Sequence, residues 1–91
     1  MQIWYLYIVR CGEDSLYSGV TLDVDRRLYE HRAGKGSKYL RGRGPLQLVY
    51  VREFDSRGAA LSAEISIKKL PRHKKEQLVR DCGGVAPAET L

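Results

Sequence analysis

Apolar and polar residues change their spacing along this chain, and each spacing points to an element. Ile3 to Val9 is rich in tyrosine and β-branched residues. The turn-forming stretch Cys11-Gly12-Glu13-Asp14-Ser15 follows, and a second short run extends from Leu16 to Thr21. Two such runs around a turn predict a β-hairpin. Side chains alternate across a strand, so Tyr5 and Tyr7 share one face of the first strand, and Tyr17 and Gly19 share one face of the second. Tyrosines from the two strands can therefore meet side by side.

Beyond the hairpin the period lengthens. Asp23 is a capping residue, Val24 and Leu28 form an apolar stripe, and Gly34 supplies a stop, which predicts a helix running to about Ala33. From Gly34 to Pro45 the chain reads GKGSKYLRGRGP, a basic, glycine-rich loop. Leu46 to Phe54 reads as a third strand, and Asp55-Ser56 caps a second helix over about Arg57 to Leu70. Pro71 closes that helix and suits the start of a third, which reaches about Arg80. With no internal repeat in the sequence, residues 1–82 are expected to form one α/β domain of order ββαβαα. The expected architecture is a three-stranded antiparallel sheet flanked by helices, arranged as one pair of layers. Residues 83–91, opening on Gly83-Gly84, are expected to be a loosely held tail.

Composition narrows the class. With 43% hydrophobic and 30% charged residues in 91, the chain reads as a globular domain rather than a disordered or fibrous one. Sixteen Lys and Arg against eleven Asp and Glu give a net charge of +5, which favours polyanionic partners. Cys11 and Cys82 lack the close Cys or His neighbours of a zinc site, and two isolated thiols point to a reducing compartment. A disulfide between them stays open on sequence alone. The first apolar run ends at Arg10, too short for a signal peptide or a membrane span, so the expected location is cytoplasmic.

Several residues stand where a purely structural domain would not put them. Ala60, Leu61, Ile67 and Lys68 lie within about 60° of Glu64 around a helix axis, so Glu64 is on or beside the apolar face. A carboxylate there either meets a metal ion or an arginine, or lies at the edge and reaches water. On the first helix Arg27 and His31, four apart, stack on the flank of the Val24 and Leu28 stripe. A pair in that register is either a solvated face or part of a site. The gathering of tyrosines, Arg, His and Glu around one sheet is what distinguishes this sequence.

In these residues the chain resembles the GIY-YIG nuclease superfamily, in particular its small stand-alone members. Tyr5-Leu6-Tyr7 stands where that family has Gly-Ile-Tyr, and Tyr17-Ser18-Gly19 where it has Tyr-Ile-Gly. Asp23 to His31 is similar to the family helix in which an arginine is followed four residues on by a histidine. Ala60 to Glu64, with Ile67 to Leu70, is similar to the helix carrying the metal-binding glutamate. The likeness spans residues 3 to about 75. Tyr5 replaces the family glycine, Ser18 replaces the isoleucine, and the asparagine some members carry near the end has no clear counterpart.

The resemblance implies metal-dependent hydrolysis of phosphodiester bonds in nucleic acid, with DNA ahead of RNA as substrate. It implies Tyr7 as general base, Tyr17 as a positioning group, Arg27 on the scissile phosphate, and His31 as proton relay or phosphate ligand. Glu64 would hold one Mg²⁺ or Mn²⁺, a hard cation that keeps several waters. A free phenol of pKa about 10 is only about 0.1% ionised at pH 7, so Tyr7 serves as base only if cationic neighbours, the metal, Arg27 or a nearby lysine, lower its pKa. Lys35, Lys38, Arg41 and Arg43, interleaved with Tyr39, suit backbone contact and base stacking. Lys68 and Lys69, followed by Arg72, Lys74 and Lys75, either extend that surface or form an ordinary solvated face. The rival reading is a nucleic-acid-binding module with this fold and little catalysis.

Overall fold

The computed structural model describes residues 2–12, 14–35 and 44–81. Its elements are β1 (Trp4–Arg10), β2 (Leu16–Thr21), α1 (Val24–Arg32), β3 (Gln47–Phe54), α2 (Arg57–Lys68) and α3 (Arg72–Asp81). The order is the expected ββαβαα. The expected tail and Lys38, Tyr39, Arg41 and Arg43 of the basic loop lie outside the described residues. Among the described residues, no helix is long and apolar enough to cross a membrane.

The strands form an antiparallel sheet in the order β2-β1-β3, with β1 central. Four consecutive residues of β1, Leu6, Tyr7, Ile8 and Val9, are all buried. Side chains alternate, so this run can be buried only if both faces of the sheet are covered. They are. Tyr7, Val9, Leu28 and Leu48 form one core, against which Tyr17, Val24 and Val51 pack. Leu6, Ile8, Val49, Tyr50 and Ile67 form the other, closed by Ala63, Leu78 and Val79. Helix α1 thus covers one face and α2 with α3 the other, giving three layers where the sequence suggested two. The uninterrupted apolar run in β1 is the physical reason. Tyr50 pairs with Ile8 while Leu48 pairs with Val9, leaving Val49 as a bulge, so Val49 and Tyr50 both reach the second core.

Local chemistry sets the helix ends. The Asp23 carboxylate accepts from the Arg26 N–H at 3.1 Å, and the Ser56 hydroxyl accepts from the Ala59 N–H at 3.1 Å, each occupying an otherwise orphaned donor. Helix α1 ends with Gly34 at φ 77°, the Gly34 N–H on the His31 carbonyl and the Lys35 N–H on that of Glu30. These paired bonds are a Schellman closure, and the left-handed backbone favours glycine.

An ion-pair cluster ties the hairpin to α3. The Arg10 guanidinium donates to both carboxylate oxygens of Glu76 at 2.9 and 2.8 Å and to Asp14 at 2.9 Å. Arg72 Nε donates to Glu76 at 3.0 Å, and its guanidinium also reaches the Asp14 carbonyl. The Arg10 hydrogen bonds, seconded by Arg72, hold the Glu76 carboxyl down at about 2 against its ordinary 4.5. A depressed carboxyl stabilises the fold above its unfolded pKa, and that contribution is lost as pH falls through 4.5 towards 2. Discounted for solvent screening, its size is about 1–2 kcal/mol. Thermal unfolding at pH 7 should show Glu76→Gln less stable than wild type by about that amount, the difference shrinking towards zero near pH 2. A gap that persists at pH 2 would mean the carboxylate charge is not the stabilising element.

Candidate active site

Tyr7 stands in the middle of the central strand, with its ring on the α1 face and 1% exposed. Directly across on β2 is Gly19. A Cβ at Gly19 would lie 2.5 Å from the Tyr7 hydroxyl oxygen and 2.7 Å from Cζ, so the ring occupies the space that any other residue's side chain would need. Tyr17 is two residues earlier, opposite Val9, and therefore on the same face.

Above these side chains α1 delivers His31, only 2% exposed. Its ring stands edge-on to Tyr17, with centroids 5.7 Å apart and planes at 74°, and tilts over Tyr7 at 6.0 Å. The Tyr7 hydroxyl and His31 Nε2 are 2.8 Å apart. Burial, assisted by the nearby Arg27 charge, pushes the His31 pKa below 6.5, so the ring is neutral at pH 7. Burial pushes Tyr7 up to about 12. A phenol that keeps its proton beside a neutral imidazole donates to it, so Nε2 accepts and the ring proton sits on Nδ1. Buried Nδ1 finds no hydrogen-bond partner among the described residues.

Arg27, one turn before His31, is half-buried with 35% of its side chain exposed. It pairs with Glu30 at 3.0 Å and acts on Tyr7, whose pKa it lowers. Burial opposes its charge, but the bonds to Glu30 and Tyr7 outweigh that and raise its pKa. The expectation that cationic neighbours would lower the Tyr7 pKa is corrected here. Burial is the larger effect, and the charges of Tyr17 and Glu64 act in the same direction as burial. Nor do Arg27 and His31 form a solvated face, because the register of α1 turns His31 wholly inward.

Glu64, on α2, is 13% exposed and among the described residues pairs with Lys68 at 3.3 Å. Its charge is felt at Tyr7. Lys35 and Lys69 are exposed, whereas Arg72 is engaged with Asp14 and Glu76. Two contributors were not singled out in the sequence. Gly19 was signalled by a glycine inside a strand, and Glu30 by its spacing of three and four residues from Arg27 and Arg26, with which it pairs.

A tyrosine, a histidine and an arginine meet on the α1 face of the sheet, a grouping whose chemistry allows a proton to move beside an anion. Residues 3–77 match the GIY-YIG catalytic domain, and the chain belongs to that family of nuclease domains. It is 56% identical over 77 residues to a UPF0213 protein of Haloquadratum walsbyi, covering 85% of this chain and 86% of that one. It is 44% identical over 86 residues to the UPF0213 protein YhbQ of Escherichia coli, covering 94% and 86%. Among solved structures it is similar to a UPF0213 protein from Bacillus halodurans, with TM-score 0.61, 49% identity and coverage of 97% and 92%. A protein from E. faecalis matches with TM-score 0.64, 37% identity and coverage of 89% and 86%.

The contact between Tyr7 and Gly19 yields a direct test. Gly19→Ala should displace the Tyr7 ring, break its bond to His31 and destabilise the fold by about 1–3 kcal/mol, as overpacking does. Urea unfolding measures the loss, and the Tyr7 hydroxyl proton in NMR reports the bond. A variant as stable as wild type with that bond intact would show that the ring has room to spare.

Proposed function

We propose that this domain is a divalent-metal-dependent phosphodiester hydrolase acting on nucleic acid, DNA ahead of RNA. Tyr7 and His31 form its proton path, and Arg27 grips the phosphate. The observation that carries this reading is the buried 2.8 Å bond from Tyr7 to a neutral His31, with Arg27 near enough to act on the same phenol.

Ionising a phenol of pKa about 12 outright at pH 7 costs about 7 kcal/mol, at 1.36 kcal/mol per unit. A concerted relay avoids that state. As the water oxygen bonds to phosphorus and the bond to the leaving oxygen breaks, the water proton passes to the Tyr7 oxygen. The Tyr7 proton passes in turn to His31 Nε2, and the leaving oxygen takes its proton from solvent. His31, 2.8 Å from the Tyr7 hydroxyl, acts through that phenol as relay. Tyr17 holds the imidazole edge-on, and Arg27 offsets charge developing on the phosphate oxygens.

Glu64 is the residue that would hold Mg²⁺ or Mn²⁺. The chemistry of a single carboxylate suits Mg²⁺, which keeps several waters and needs only one or two protein carboxylates. Lys68 is largely exposed, and a surface pair at this spacing is worth only about 0.3–0.5 kcal/mol, so it yields readily to a cation. Bound there, the ion would supply charge neutralisation at the phosphate. The raised Tyr7 pKa favours one second reading, a nucleic-acid-binding module in which proton transfer is ineffective.

Single-turnover cleavage of labelled single- and double-stranded DNA and RNA in Mg²⁺, Mn²⁺ or chelator separates the two. Arg27→Ala should slow cleavage by on the order of 10² to 10³, as removal of one preorganised donor does. Glu64→Gln should abolish metal-dependent cleavage with the fold intact by circular dichroism. Folded variants that cut at the wild-type rate would sink the mechanism, and a wild type with no metal-dependent cleavage would leave the binding module.

The relay also has a pH signature. It needs neutral His31, whose pKa lies below 6.5, so the rate should be level from pH 7 to 8 and fall as the solution is acidified through that lowered pKa. Tyr7→Phe should remove both the activity and the pH dependence of any residue of it. A profile rising tenfold per pH unit from 6 to 9 would instead indicate free tyrosinate as the base.

A further inference from the structure

Glu64 and Lys68 stand one turn apart on α2, with a carboxylate oxygen and the Lys68 Nζ 3.3 Å apart. The two ends of this pair are unequal. The Glu64 side chain is 13% exposed, whereas that of Lys68 is 58% exposed. We infer that Lys68 is a counter-ion held in reserve. It is tied to Glu64 while that carboxylate is otherwise unoccupied, and it passes to a phosphate of the nucleic acid when a divalent cation takes its place. Glu64 as the metal-holding residue comes from the nuclease reading, on which this exchange rests.

Burial creates the need for a counter-ion. A carboxylate largely withdrawn from water requires a partner, and among the described residues Lys68 is the cation that pairs with it. Glutamate four residues before lysine is the favourable order on a helix, so the pair forms without distorting α2. The bond is nonetheless weak, because a long side chain mostly in water gives up an ion-pair partner at little cost.

Lys68 cannot keep its place on Glu64 beside a dication. At comparable distances the repulsion between the two cations is about twice the attraction of the lysine for the carboxylate. The ammonium must therefore move, and its flexible four-carbon stem lets it do so while α2 stays in place. Glu64 is near enough to Tyr7 for its charge to raise that phenol's pKa, so Lys68 is released beside the centre at which a phosphate arrives. A strand reaching that centre thus meets one more free cation once Glu64 is neutralised. Lys69, the next residue, is exposed and makes no ion pair among the described residues, so its charge is on offer in either state. By linkage, any gain in nucleic-acid affinity on metal binding is matched by an equal gain in metal affinity on nucleic-acid binding.

Neutralising Glu64 by substitution frees Lys68 with no cation present, so the exchange can be tested in chelator. Binding of a short oligonucleotide is measured against salt for wild type, Glu64→Gln, Lys68→Gln and the double variant, with circular dichroism confirming each fold. Glu64→Gln should steepen the slope of log K against log salt by somewhat under one unit, the size of one phosphate contact. Lys68→Gln alone should leave the wild-type slope nearly unchanged, and in the double variant the steepening should vanish. No steepening in Glu64→Gln overturns the proposal, and so does steepening that survives in the double variant. A wild-type slope already flattened by Lys68→Gln overturns it too, since Lys68 would then be on phosphate throughout. Without nucleic acid, a Mn²⁺ titration followed by electron paramagnetic resonance should show Lys68→Gln binding the ion about twofold more tightly than wild type, the worth of one surface pair. Equal or weaker binding, or Mn²⁺ binding that Glu64→Gln leaves intact, overturns the exchange. Should all these arms hold while wild type cleaves nothing, the nuclease reading alone fails.

Discussion

A hydroxyl buried at the centre of a sheet is costly unless it is hydrogen-bonded, and at Tyr7 that requirement reaches three elements at once. Strand β2 must present Gly19 opposite, because a Cβ there would collide with the ring. Helix α1 must bring His31 to 2.8 Å, which fixes its rotation about its own axis and so also sets Arg27 beside the phenol. Hairpin register and helix orientation are therefore tied to one phenol, and the residues that satisfy it are the same ones that would act on a phosphate.

The surroundings keep that phenol in place. Burial of the sheet on both faces gives β1 no solvent side, so sliding the register by one residue would exchange the two cores, Tyr7, Val9 and Leu48 against Leu6, Ile8 and Tyr50. The clamp of Arg10 and Arg72 on Glu76 and Asp14 fastens α3 to the turn end of the hairpin. Asp14 adopts φ 68° at that turn, a conformation that aspartate tolerates better than most residues.

The same burial that makes the pocket rigid sets its chemistry. It raises Tyr7 and lowers His31, so both are neutral at pH 7, and among the described residues the charges acting on them are those of Arg27, Glu30 and Glu64. A proton passed from the phenol to the imidazole leaves no phenolate only when another proton reaches the phenol oxygen in the same step. A half-buried guanidinium alongside attracts a phosphate without filling the pocket.

Much of this was legible in the chain itself, because local patterns report local physics. Asp23, Ser56 and Gly34 announced helix ends through side-chain acceptors and a left-handed backbone, and the tyrosine-rich runs around Cys11 to Ser15 announced the hairpin. Tyr7, Tyr17, Arg27, His31 and Glu64 were recognisable as a set. What sequence could not decide was what lies across a sheet or above it. Only the packed structure shows helices on both faces, Gly19 as the floor under Tyr7, His31 wholly buried, and Glu30 rather than solvent as the Arg27 counter-ion. It also reverses the expected shift of the Tyr7 pKa, since the balance between a neighbouring cation and the loss of water depends on how deeply the fold buries the ring.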